Sequence, residues 1–212
     1  MDEKDYFIPF EAYAEDGFVE KRSKFTGRLW RVETPEEAMA KIKQMRETYW
    51  DATHHCSAYI LREGNIMRYS DDGEPQGTAG MPILEVLRHE NLVNVCCVVT
   101  RYFGGVLLGT GGLVRAYTKG AQIAVAAAGI QQMSMFSVVL IACPYNLLGV
   151  VQQVLPAHDC TVEDTDYGAD VTLTGSVPAG TEEALNRALA DATAGQVYAE
   201  VMETKFMGRR IK

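Results

Sequence analysis

The sequence predicts an α+β protein of two domains, 1–132 and 133–212, and three observations carry that expectation. Residues after Met133 read as β-α-β-β-α-β, the order of a ferredoxin-like domain with a split βαβ and an antiparallel sheet. Residues before it mix short strands with three helical segments. Between the two, Gly129 to Met133 interrupts a long apolar helical pattern. At roughly 100 to 200 residues per domain, a chain of 212 allows one large or two small domains.

Ala12 to Val32 offers two strands that meet near Lys21. Thr34-Pro35-Glu36-Glu37 is a capping box with proline at the first helical position, and Ala38, Ile42, Met45 and Tyr49 give the buried stripe of a helix over 35–49. His54 to Leu61 and Ile66 to Tyr69 are strands about a Glu63-Gly64-Asn65 turn. Ile83 to His89 is helical, Val93 to Thr100 is a buried β-branched strand, and Thr110 to Ala128 is a long alanine-rich helix. In the second domain Ser134 to Ala142 is a strand, and Tyr145 to Leu155 is a helix that Pro156 stops. Cys160 to Asp166 and Ala169 to Val177 are strands about a Tyr167-Gly168 turn. Thr181 opens a helix with Glu182 and Glu183 in its first turn, and Gln196 to Glu203 supplies the last strand.

Composition bounds the function classes. With 47% apolar and 23% charged residues the chain builds a packed core and is not of the disordered class. The longest apolar stretch, Ala121 to Ile130, is well short of the roughly 20 residues a bilayer needs, so no membrane role is expected. An acidic N-terminus without an apolar run argues against a secretory signal. Five cysteines, two of them adjacent, fit a reducing cytoplasm, and no Cys-x-x-Cys or Cys/His cluster has zinc spacing. Neither a metal nor a cofactor is expected. The net charge of -8 is uneven: 15 Lys and Arg against 18 Asp and Glu up to residue 132, and 5 against 10 beyond it. That argues against indiscriminate polyanion binding and leaves a local basic face open.

Two segments could carry chemistry. In Ser70-Asp71-Asp72-Gly73-Glu74-Pro75-Gln76-Gly77-Thr78-Ala79-Gly80, three carboxylates in four positions could bind a hard cation or act as acid and base, with His54 as a companion. The alternative is a structural loop in which Thr78 caps the following helix. The run Arg101-Tyr102-Phe103-Gly104-Gly105 to Gly109-Thr110-Gly111-Gly112 passes from a strand through glycines into a helix N-terminus, a geometry suited to phosphate. It ends in neither Gly-Lys-Ser/Thr nor Gly-x-Gly-x-x-Gly, so no known nucleotide fingerprint is met. Arg115 and Lys119 share one stripe of the long helix, Lys24 lies in a basic early segment, and Arg101 stands beside the glycine loop. Arg101 suits phosphate and base stacking, or equally an ion pair with the Asp71 to Glu74 loop.

These segments resemble the YigZ/Impact family. The resemblance rests on Ala52-x-His54, on Ser70-Asp-Asp-Gly-Glu-Pro-x-Gly-Thr-Ala-Gly-x-Pro82, and on Arg101-Tyr-Phe-Gly-Gly105 continuing to Leu108-Gly-Thr-Gly-Gly-Leu-Val-Arg-Ala-Tyr117. It implies an N-terminal domain like domain IV of elongation factor G and a C-terminal domain like that factor's domain V, the two-domain plan of the bacterial branch. Eukaryotic Impact proteins restrain the amino-acid-starvation kinase pathway by competing for its ribosome-associated activator, through a further domain not evident in this sequence.

The leading expectation is a translation-linked regulatory or binding protein that contacts RNA or a ribosome-associated partner. Its surface would hold Lys24, Arg101, Gly104, Gly105, Gly109, Thr110, Arg115 and Lys119. The alternative is a phosphate- or nucleotide-handling enzyme using the Gly104 to Gly112 loop with His54, Asp71, Asp72 and Glu74. A third reading makes the same residues a scaffold, with Arg101 paired to a carboxylate of the loop.

Overall fold

A computed structural model describes residues 4–212. The chain forms two compact units of mixed α and β structure, one holding Tyr6–Gln132 with Arg209–Lys212, the other Met133–Gly208.

The first unit is built on strands β2 (Tyr13–Glu20), β3 (Ser23–Arg31), β4 (His54–Leu61), β5 (Ile66–Ser70) and β6 (Val95–Tyr102). They form an antiparallel sheet in the order β2-β3-β6-β4-β5. A short strand, β1 (Tyr6–Pro9), which the sequence pattern does not show, precedes them. Helix α1 (Pro35–Thr48) covers Trp30, Tyr59, Leu61, Cys96 and Val98 on one face of the sheet. Thr34 caps it by accepting from the Glu37 amide at 3.2 Å, while the Glu37 carboxylate reaches back to the Glu33 amide at 2.7 Å. Helices α2 (Gly80–His89) and α3 (Thr110–Ala128) cover Phe25, Leu29, Cys97 and Val99 on the other face. The backbones of α3 and β3 nearly touch: a Cβ on Gly27 would fall 2.0 Å from the Gly120 carbonyl oxygen. Only glycine at 27 admits the helix this close.

The β2–β3 hairpin turns on Lys21 and Arg22, both left-handed at φ 44° and 68°. That geometry matches the twist of the flanking strands but is normally given to Asn-Gly.

In the second unit β7 (Ile130–Cys143), α4 (Leu148–Val154), β8 (Thr161–Tyr167), β9 (Val171–Pro178), α5 (Glu182–Thr193) and β10 (Ala199–Arg210) follow in the expected order. This sheet has five strands: β7 pairs with β9 and β9 with β8, both antiparallel, as in a split βαβ, and β10 and β1 also pair with β7. Val139, Ile141, Val151, Leu173, Leu185 and Leu189 fill the core beneath α4 and α5. Helix α4 is shorter than the 145–155 pattern because Pro156 tightens its end into a 3-10 turn over Leu155–His158. Thr181 does not cap α5 with its side chain: its hydroxyl donates to the Pro178 carbonyl, and Ser137 donates instead to Glu182 in the first helical turn. The last residues return to the first unit, where the Ile130 amide donates to the Lys212 carbonyl at 3.1 Å and the Ile211 amide to the Ile130 carbonyl at 2.9 Å.

Candidate functional site

Strand parity decides where the sequence-predicted residues go. On β6, Arg101 follows Cys97 and Val99 onto the face covered by α2 and α3, so its side chain enters the core and takes the ion-pair alternative, not a place on the open binding surface. Arg101 is 5% exposed and Glu74 8%, and the Arg101 Nη1 to Glu74 Oε1 separation is 2.6 Å. The same carboxylate oxygen accepts the Tyr117 hydroxyl at 2.7 Å, and His54 Nε2 lies 3.8 Å away. The Arg101 guanidinium sits between two rings, 5.5 Å from the centre of Phe25 and 5.4 Å from that of Phe103. Burial, with Cys56 and Glu74 beside it, pushes the Tyr117 hydroxyl far above its ordinary range, so it stays a hydrogen-bond donor.

The three carboxylates of the 71–74 loop part company. Asp71 Oδ1 accepts from the amides of Ala79 and Gly80 and Oδ2 from that of Gly77, at 2.8–3.1 Å. Asp71, not Thr78, therefore holds the start of α2, while Thr78 donates its hydroxyl to the Pro75 carbonyl. Asp72 pairs with Arg46 at 2.6 Å and accepts the His55 amide. Glu74 turns inward to Arg101. A hard cation or a shared acid-base pair needs these groups to converge, and each is committed in a different direction. Among the described residues no cluster of three His, Cys, Asp or Glu side chains could hold a metal. His54 bonds the Asp72 carbonyl through Nδ1 at 2.8 Å, and His55 is buried between Tyr49 and Thr100. The thiols of Cys56 and Cys97 are pushed up by burial and that of Cys96 to about 12, which leaves no thiolate nucleophile at neutral pH.

The remaining candidates gather at one end of α3. Arg115 and Lys119 line a cleft of about 210 Å³ together with Lys21, Phe18, Leu108 and Gly112. Lys119 Nζ lies 4.3 Å from the centre of the Phe18 ring, and Glu20 is the one acidic lining residue. Neither Lys21, Arg115 nor Lys119 is ion-paired to a carboxylate among the described residues. Helix α3 begins at Gly109 without a side-chain cap and without an acidic residue in its first turn, so the amides of Thr110, Gly111 and Gly112 and the positive end of the dipole add to the charge. Gly105 and Gly109 hold φ 81° and 71°, which explains glycine at both. Gly104 is needed for closeness, since a Cβ there would lie 2.1 Å from the Arg22 carbonyl carbon. Its amide donates to Ser23 Oγ at 3.2 Å and fastens the loop to the hairpin turn. Lys24 does not join this cleft. It alternates with Phe25 onto the opposite face of the sheet, where it lines a shallow surface with Glu15, Thr26 and Arg28.

Comparison with known proteins bears on the same residues. The chain is 39% identical to the IMPACT family member YvyE of Bacillus subtilis over 78% of its length and 76% of that protein's. It is 34% identical to the IMPACT family member YigZ of Escherichia coli, with 86% of this chain and 91% of the relative covered. The chain belongs to the IMPACT family. The Impact N-terminal domain matches residues 21–125 and a domain of unknown function, DUF1949, matches 141–196. A solved crystal structure of a hypothetical protein, 32% identical, superposes with a TM-score of 0.58 over 94% of this chain and 98% of its own. In this IMPACT family member, the buried Arg101–Glu74 pair, the glycine loop and the three cations of the cleft fall inside the Impact N-terminal match.

Proposed function

We propose that this IMPACT family member is a translation-linked binding protein that grips RNA through the cleft formed by Lys21, Arg115 and Lys119 at the start of α3. The observation that carries the reading is the set of cations without carboxylate partners beside an uncapped helix N-terminus, on a chain whose overall charge is -8. A phosphate backbone supplies the charge this cleft lacks, and its ladder of phosphates suits several separated cations better than one small anion does. Membership of the IMPACT family supports an RNA or ribosomal setting, since the resemblance to that family implies domains like IV and V of elongation factor G and a place in translational control. The commitment of Asp71, Asp72 and Glu74 to structural partners favours binding over the phosphate-handling enzyme.

The test is fluorescence anisotropy of the full chain with labelled RNA across a salt series. Three or four phosphate contacts on a single strand give a slope of log K against log salt of roughly -2 to -3. Replacing Lys21, Arg115 and Lys119 together with glutamine flattens the slope and abolishes binding. No binding at low salt, or binding indifferent to the triple replacement, refutes the reading.

A further inference from the structure

The glycine loop carries the chain from the buried pair, past Phe103, to the hairpin turn that holds Lys21. The Phe103 ring is 45% exposed, yet it is not loose: the Arg101 guanidinium lies 5.4 Å from the ring centre, and the Phe103 backbone amide donates to Thr53 Oγ1 at 3.0 Å. Arg101 is fixed in turn by Glu74, and Glu74 by Tyr117. Four residues on Leu107 is 83% exposed, while Leu108 folds back into the cleft beside Arg115 and Lys119. The Gly104 backbone, pressed against Arg22, sets Phe103 next to the cationic hairpin turn. The loop thus presents an aromatic ring backed by Arg101 and an exposed aliphatic side chain on the segment that leads into the cleft of Lys21, Arg115 and Lys119.

We infer, resting on the RNA reading above, that the ligand of this face is single-stranded RNA, with an unpaired base stacked on Phe103 and neighbouring phosphates in the Lys21, Arg115 and Lys119 cleft. A duplex offers phosphates and 2′-hydroxyls but keeps its base faces inside, so Phe103 and Leu107 gain nothing from it. An unpaired base offers an apolar face to a ring that is already ordered, and an ordered platform loses little conformational freedom on binding. Arg101 is accordingly a positioning residue. Held from behind by the Glu74 carboxylate, it orients the ring and does not itself reach the ligand.

The experiment compares a short unstructured oligouridine with a blunt duplex RNA of the same length, both labelled and both titrated with the full chain at low salt. The single strand is expected to bind at least roughly tenfold tighter than the duplex, and Phe103→Ala to weaken it by roughly fivefold or more while leaving duplex binding unchanged. Phe103→Trp retains the affinity, and its added tryptophan emission, measured as the difference from the parent chain, is quenched by the oligouridine. Both substitutions are at the surface, so unchanged circular dichroism and melting temperature certify the fold. Equal affinity for duplex and single strand, or oligouridine binding indifferent to Phe103→Ala, overturns the inference while the phosphate-binding cleft stands. Failure of both RNAs to bind overturns the RNA reading with it.

Discussion

The carboxylate of Glu74 lies 2.6 Å from the guanidinium of Arg101, and both side chains are buried. Removing one partner strands the other charge in the core. Arg101→Ala and Glu74→Ala are each expected to cost about 3–5 kcal/mol. The double substitution Arg101→Met with Glu74→Leu recovers much of that loss, because no charge is left unpaired. Tyr117→Phe removes one hydrogen bond to the same oxygen and costs about 1 kcal/mol. Urea denaturation of the four proteins checks the ranking.

Burial holds the imidazole of His55 below its ordinary 6.5. The unfolded chain takes up a proton near that value while the folded chain resists it, so the unfolded state binds more protons over the interval between the two. Stability is full above pH 6.5, falls as the pH drops through that interval and levels off below the folded value. Denaturant midpoints measured from pH 8 to about pH 5 are expected to decline on the acid side, and His55→Gln is expected to shallow that decline.

Gly27→Ala sets a methyl group against the Gly120 carbonyl, 2.0 Å away, which only a shift of the whole helix can relieve. Gly120→Ala meets the Val99 side chain at 2.8 Å, which can adjust. The first substitution therefore costs more than the second, about 3 kcal/mol or more against about 1–2 kcal/mol. Thermal melts of the two variants test the order.

Lys21 and Arg22 occupy the left-handed region, a conformation that costs a side-chain-bearing residue roughly 1 kcal/mol or more. Replacing the pair with Asn-Gly is expected to raise the melting temperature and to weaken RNA binding in the same protein. Such opposed effects mark residues kept for what they bind rather than for what they stabilise. A gain in both properties would show that the two cations take no part in recognition.

All five cysteines are free and buried, and burial raises each thiol. The native protein is expected to be inert to a thiol reagent at neutral pH and to titrate five groups once unfolded. Reaction of one thiol before unfolding would place a local opening at that residue.

Local chemistry made several elements legible. The capping box fixed the start of α1, and the glycine run followed by alanines marked α3 at both ends. Strand alternation is legible as well: Arg101 shares parity with Cys97 and Val99, which assigns it to the core face, and Lys24 alternates with the inward Phe25. The partners of the 71–74 carboxylates could not be read in this way. Asp71 curls forward to amides six to nine residues on, whereas Glu74 reaches Arg101 and Tyr117 on elements that come later in the chain. Such choices depend on tertiary packing, and a local pattern holds no record of it. The small role of Gly27 was hidden for the same reason, since its opposite number, Gly120, lies on another element.

The return of residues 209–212 to the first unit bears on any dissection of the molecule. A fragment ending at residue 132, the natural cut from sequence alone, discards the C-terminal segment whose Lys212 carbonyl and Ile211 amide satisfy Ile130. Its raw edge would be sticky toward other copies, and an RNA assay on such a fragment would report on aggregation before it reported on recognition.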